Sequence, residues 1–103
     1  MDHIELWDKA KALMREELAN VSYTTWIEQP LKPVYVVDDK LALEVISDLN
    51  EKTIRARYLP MITEAVSQAA GREMTIELMS VKERIEWQER QKKEDAPAMQ
   101  GIN

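Results

Sequence analysis

The chain has 103 residues, enough for one domain and a tail. Hydrophobic residues make up 45% of it, yet only 6% are aromatic and none is Phe, so Leu, Ile, Val, Met and Ala must fill any interior. The net charge of −5 argues against tight non-specific binding to nucleic acid, and the lack of cysteine excludes disulfides and thiolate metal sites.

Asp2 with Glu5 reads as a capping box that starts a helix running to about Leu18. Its apolar residues form two adjoining stripes, Ile4-Trp7-Met14-Leu18 and Leu6-Ala10-Leu13. Together they are wider than one flat contact needs, so part of this helix, Trp7 included, is expected on the surface. Asn20 to Ser22 break the helix, and Ser22 is expected to cap a second one through Tyr23 to about Glu28. Pro30 and Pro33 stop helical structure there.

Val34 to Val37 and Leu41 to Ile46 are β-type runs on either side of Asp38-Asp39-Lys40, an antiparallel hairpin. Leu41, Leu43 and Val45 alternate with Ala42 and Glu44, the period of a half-buried strand. A long helix starts at Ser47 or Asp48, with Asp48 and Glu51 as its capping box. It carries Ile54, Tyr58, Met61-Ile62, Ala65-Val66 and Ala69 on one face. Pro60 inside it predicts a bend costing about 3 kcal/mol unless packing compensates. Gly71 predicts a left-handed end to that helix, and Met74, Ile76 and Leu78 alternate as a third strand. Ser80 and Glu83 box the start of a charged segment, Val81 to Asp95, with Glu86–Arg90 and Glu89–Lys93 at i,i+4 spacing. Only Val81, Ile85 and Trp87 are apolar there, which predicts a marginal helix that extends from the domain or folds against it. Ala96 to Asn103 are expected to be disordered. The expected division is therefore an interaction domain over 1–80 and a charged, partly helical then disordered segment over 81–103. The order helix-helix-strand-strand-helix-strand predicts an α+β fold, a three-stranded sheet with helices packed on one face.

Chemistry for catalysis is thin. His3 is the sole histidine and lies at a fraying end, and two glycines cannot build a phosphate loop. The carboxylates follow the spacing of solvated helix faces. The expectation is a non-enzymatic chain without cofactor or metal. No apolar run reaches the roughly 18–20 residues that span a bilayer. The opening Met1-Asp2-His3-Ile4-Glu5 lacks the layout of a secretion signal, so a cytoplasmic location without membrane contact is expected.

The order Leu6-Trp7, Leu18, Tyr23-Thr24-Thr25-Trp26-Ile27, Pro30-Leu31, Leu41-Ala42-Leu43, Arg57-Tyr58, Ile62, Gly71, Ile76 resembles the amino-terminal domain (domain I) of the bacterial replication initiator DnaA. The match covers residues 4 to about 79. Departures are Val45-Ile46-Ser47-Asp48-Leu49 in place of Val-Pro-Asn-x-Phe, Lys11 at a position commonly leucine, and Thr53 where a tryptophan is frequent. The resemblance implies a fold similar to type II KH domains, and an initiator whose ATPase and duplex-DNA-binding domains lie outside these residues, with the charged segment over 81–103 as the start of the linker that would join them. It also implies weak self-association through helix 1, carried onto Leu6, Trp7 and Ala10. Docking of a replicative helicase of the DnaB type and of initiation regulators is carried onto Ser22, Thr25, Trp26, Ser47, Leu49 and Asn50.

Each residue has a plainer reading beside this one. Trp7 can be core, Trp26 can hold helix 2 against the body with one edge left over, and Leu49 can be a hydrophobic staple. Lys52, Arg55 and Arg57 are candidates for weak single-stranded DNA contact or simply a solvated helix face. Two rival functions stay open at this point: a KH-like nucleic-acid module, although no Gly-x-x-Gly clamp is present, and a freestanding mimic of the initiator domain.

Overall fold

The computed structural model describes residues 1–95, so the disorder expected over 96–103 lies outside the described residues. Helix α1 spans His3–Glu17, with the Asp2 carboxylate accepting from the Glu5 backbone N–H at 2.8 Å. A four-residue helix α2, Asn20–Tyr23, runs directly into a π-turn over Thr24–Glu28, closed by the i→i+5 bond from the Gln29 N–H to the Thr24 carbonyl at 3.0 Å. Ser22 therefore lies inside α2 and caps nothing; Ala19 occupies the cap position without a side-chain bond.

Strands β1 (Leu31–Val37) and β2 (Lys40–Val45) pair antiparallel, and β3 (Thr75–Met79) joins β2 in parallel, giving the order β1-β2-β3. β1 begins three residues earlier than expected because Pro33 is absorbed into it. An edge strand with a bulge is where a sheet accepts proline, and the register shifts between Pro33 and Tyr35. Asp38 takes the left-handed conformation at the hairpin tip (φ 52°), which aspartate tolerates better than most residues.

The expected long helix is two helices, α3 (Asp48–Arg57) and α4 (Leu59–Ala70), meeting at Tyr58. Pro60 thus falls in the first turn of α4, where its missing N–H has no intrahelical acceptor to lose, and the expected bend energy does not arise. Gly71 ends α4 at φ 73° as expected.

The register sorts the sheet into two faces. Leu31, Val36, Leu41, Leu43, Val45, Ile76 and Leu78 meet the helices α1 to α4 and join Leu6, Trp7, Ala10, Met14, Tyr23, Ile27, Ile54, Ile62, Ala65, Val66 and Met74 in the core. Tyr35, Ala42, Glu44, Glu77 and Met79 look the other way. Helix α5 (Val81–Asp95) lies on that second face, so helices cover both sides of the sheet rather than one. Its start is the expected box: the Glu83 N–H donates to Ser80 Oγ at 3.1 Å and the Ser80 N–H donates to the Glu83 carboxylate at 2.8 Å.

Candidate docking surface

Trp7 is not on the surface. It is 1% exposed, and Leu6 and Ala10 are buried with it. The reason is tertiary. α1 packs across α4 and against β1, and the side of α1 that carries Leu6, Trp7, Ala10 and Met14 is the one taken into the core. The expected exposure of Trp7 is corrected, and all three residues onto which the resemblance carried self-association are buried in the folded domain. The Trp7 indole N–H has no hydrogen-bond partner among the described residues.

The most exposed apolar residues lie elsewhere. Val21 on α2 is 77% exposed, Ile46 after β2 is 63% exposed, and Leu49 in the first turn of α3 is 74% exposed. Thr25 is exposed and Trp26 half-buried on the π-turn between them. The Ile46 N–H donates to the Pro30 carbonyl at 3.0 Å, which ties the loop entering α3 to the end of the π-turn. Trp26 stacks on Tyr58 at 6.1 Å between centroids, joining the π-turn to the α3–α4 junction. So the π-turn is held at two points beside α3, with Thr25 and an edge of Trp26 facing out.

A third brace comes from α1. Lys11 donates to one Glu28 oxygen at 3.2 Å and the Tyr23 hydroxyl donates to the other at 3.3 Å, while the Arg15 guanidinium sits 5.4 Å over the Tyr23 ring. Burial, reinforced by the Glu28 charge, pushes the Tyr23 phenol above its ordinary value, so it stays a donor at neutral pH. A π-turn is uncommon and recurs at functional sites because it re-aims side chains that a regular helix would bury.

Ser47 and Asn50 have a structural task here. Ser47 Oγ accepts from the Asn50 N–H at 3.1 Å and donates to the Asn50 amide oxygen at 2.6 Å, so Ser47, rather than Asp48, caps α3. Leu49 is too exposed to be a staple. Lys52, Arg55 and Arg57 are all exposed, but they do not form one patch: Arg57 lies about 140° round the helix from Lys52 at 3.6 residues per turn. Arg55 is paired with Glu51 at 2.9 Å. Lys52 and Arg55 instead border a shallow groove of about 500 Å³ with Asp48, Leu49 and Glu51, apolar at its centre and mixed in charge at its rim.

Val21 and Ile46 were missed by the reading of the sequence. Val21 sits in a segment that reads as a helix break. Ile46 continues an apolar run, although the inward alternation of Leu41, Leu43 and Val45 already predicts that residue 46 points outward. Among the described residues no group of three His, Asp or Glu side chains is placed to hold a metal ion, and no helix is long and apolar enough to cross a membrane.

The family model described as "DnaA N-terminal domain" matches residues 4–68, from α1 into α4. The chain belongs to that family. Among curated relatives, the chromosomal replication initiator protein DnaA of Thermoanaerobacter sp. (strain X514) is 31% identical over 79 residues, 77% of this chain and 18% of that protein. The DnaA of Citrifermentans bemidjiense is 35% identical over 81 residues, 79% of this chain and 18% of that protein. That of Geotalea uraniireducens is 34% identical over 73 residues, 71% of this chain and 16% of that protein. The chain thus spans less than a fifth of the length of these relatives. The match over 4–68 takes in the π-turn, the hairpin and the start of α3, so every member of the apolar surface lies within the family's own region.

Proposed function

We propose that this DnaA N-terminal domain is a protein-docking module of a replication initiator, without catalytic activity. The observation that carries the reading is the group Val21, Thr25, Trp26, Ile46 and Leu49. Val21, Ile46 and Leu49 are the three most exposed large hydrophobics, and the Ile46–Pro30 bond ties the loop entering α3 to the segment that carries exposed Thr25 and half-buried Trp26; uncovered apolar side chains of this kind mark protein contacts. The replicative helicase and initiation regulators are the partners assigned to this face.

Self-association belongs to the same proposal with a change of residues. Met1 and Ile4, both exposed at the start of α1, replace Leu6, Trp7 and Ala10 as the contact. A weak contact suffices, since tethering many initiators along origin DNA raises their local concentration to roughly millimolar. The array then offers several copies of the docking face at once.

The test is titration of the 103-residue chain against purified replicative helicase from the same organism, with Leu49→Ala and Thr25→Ala variants. Leu49→Ala is expected to weaken binding about tenfold while leaving the circular dichroism unchanged. Equal binding by wild type and both variants overturns the assignment of the face. Titration with single-stranded DNA at two salt concentrations runs beside it: a steep salt slope that falls by about one in Lys52→Ala would move the reading to nucleic acid.

A further inference from the structure

Helix α5 lies beyond the family match, and its residues divide sharply by side. Arg84, Trp87 and Gln91, at spacings of three and four, are the half-buried ones after the first turn; Val81 and Ile85, the only other apolar residues, are exposed. The sheet beneath supplies a matched seat. The Trp87 ring stacks on Tyr35 at 4.8 Å between centroids and 22° between planes. Arg84 Nε donates to Glu44 at 2.7 Å, and the two side chains are only 29% and 13% exposed. Under the helix Ala42 and Met79 are buried although neither belongs to the core on the other face. The Tyr35 hydroxyl donates to Glu77 at 2.9 Å, and Lys40 donates to the other Glu77 oxygen at 3.2 Å, so the seat is held in shape from below.

We infer that α5 is a strap that closes the second face of the sheet, held by Trp87 on Tyr35 and Arg84 on Glu44, and that it opens as a unit without unfolding the domain. The segment is thus part of the domain's working surface rather than the start of a free linker. Two features make it separable. None of its apolar side chains is fully buried and only Trp87 is half-buried, and regions with so few buried apolar contacts open below the global stability. Its sequence is too polar to hold a helix alone, so undocking and loss of helix go together beyond the first turn. That first turn is fixed by the reciprocal Ser80–Glu83 bonds, which aim the helix back over the sheet after a connection of one residue. Docked, α5 sets the direction in which the chain leaves the domain and hides Ala42, Met79 and Tyr35; released, it lengthens the tether and uncovers them.

The test is hydrogen exchange of backbone amides in the 103-residue chain, comparing wild type, Trp87→Ala and Trp87→Phe. Wild type is expected to protect the amides of residues 84–91. Trp87→Ala should accelerate their exchange about tenfold or more, and Trp87→Phe should restore most of the protection. Amides of α1 and α4 should be unchanged in all three. Wild-type α5 exchanging at unstructured rates overturns the inference, as does equal protection in Trp87→Ala. So does faster exchange in α1 and α4 by the same factor, because α5 would then be inseparable from the core. None of these outcomes depends on a partner, so the docking proposal stands or falls separately.

Discussion

Substituting Trp7 by alanine separates two accounts of helix α1. If the indole were a surface contact, the variant would stay folded and lose only self-association. The structure buries it at 1% exposure between α1, α4 and β1. Truncating a buried tryptophan costs about 3–5 kcal/mol in lost transfer free energy and residual cavity. One correction acts the other way. The Trp7 indole N–H is buried without an acceptor, and removing such an orphan donor recovers about 1–3 kcal/mol of desolvation cost. Taking the middle of each range, the net expectation is a loss of about 2 kcal/mol, from a domain whose total should be about 5–14 kcal/mol at its size. At about 4–8 °C per kcal/mol for a domain of this length, Tm should fall by about 8–16 °C. Trp7→Phe keeps much of the volume and discards the orphan N–H, so it should lie within about 1 kcal/mol of wild type. Thermal and urea unfolding followed by circular dichroism measure both, with sedimentation of each variant alongside. A Trp7→Ala domain that melts within about 2 °C of wild type would refute the burial argument and return Trp7 to the surface.

Three other perturbations test the local physics. Ser47→Ala removes the α3 cap and should cost about 1 kcal/mol in urea unfolding; no change would mean that water or Asp48 takes over the Asn50 N–H. Gly71→Ala should cost about 1 kcal/mol through backbone conformation alone, since a Cβ there meets nothing within 4 Å while φ is +73°. Gly71→Asn should cost less, and equal stabilities would contradict the left-handed cap. In alkali, Tyr23 and Tyr35 should ionise late. Burial pushes both phenols up, with Glu28 adding to it for Tyr23 and the hydrogen bond to Glu77 for Tyr35. Because the folded state favours the neutral phenol, the stability this confers is complete below the ordinary value of about 10 and is lost as pH rises through the folded value. Phenolate absorbance against pH should lag that of the urea-unfolded chain, and coincident curves would remove the basis for the claim.

Elements whose cause is local were legible in the residues. The Ser80–Glu83 box, the Gly71 stop and the alternation of Leu41, Leu43 and Val45 each depend on neighbours a few positions away, and each appears where the pattern puts it. What failed was tertiary. Nothing near Trp7 in the chain announces that α1 packs across α4 and β1 with the indole inside. Pro60 reads equally well as a bend or as a first turn, and only the break at Tyr58 decides between them. The π-turn leaves no mark in Thr24–Glu28 because its extra residue per turn is imposed by the braces to Tyr58 and Lys11 rather than by propensity. The proposed docking surface was half legible. Thr25, Trp26 and Leu49 came through family resemblance and do face outward in whole or in part. Val21 and Ile46 needed the coordinates, since an exposed aliphatic and a buried one look alike in a short run.

The three tryptophans show why the choice of probe matters for a surface built on a brace. Trp7 serves the core, Trp87 serves the inferred strap, and Trp26 has two duties under the docking proposal: it stacks on Tyr58 and holds the π-turn to the α3–α4 junction, and, half-buried, it belongs to the face proposed for a partner. Removing Trp26 would loosen the platform that presents Thr25 as well as deleting a contact. A binding loss in Trp26→Ala therefore mixes packing with recognition, and truncation values near such a ring do not add. Leu49 has no comparable duty, because at 74% exposure its side chain supports nothing inside the domain. An exposed leucine reduced to alanine should alter stability by less than about 0.5 kcal/mol. Whatever affinity Leu49→Ala loses is then recognition alone, which makes this position, and not either neighbouring indole, the one on which the docking assignment turns.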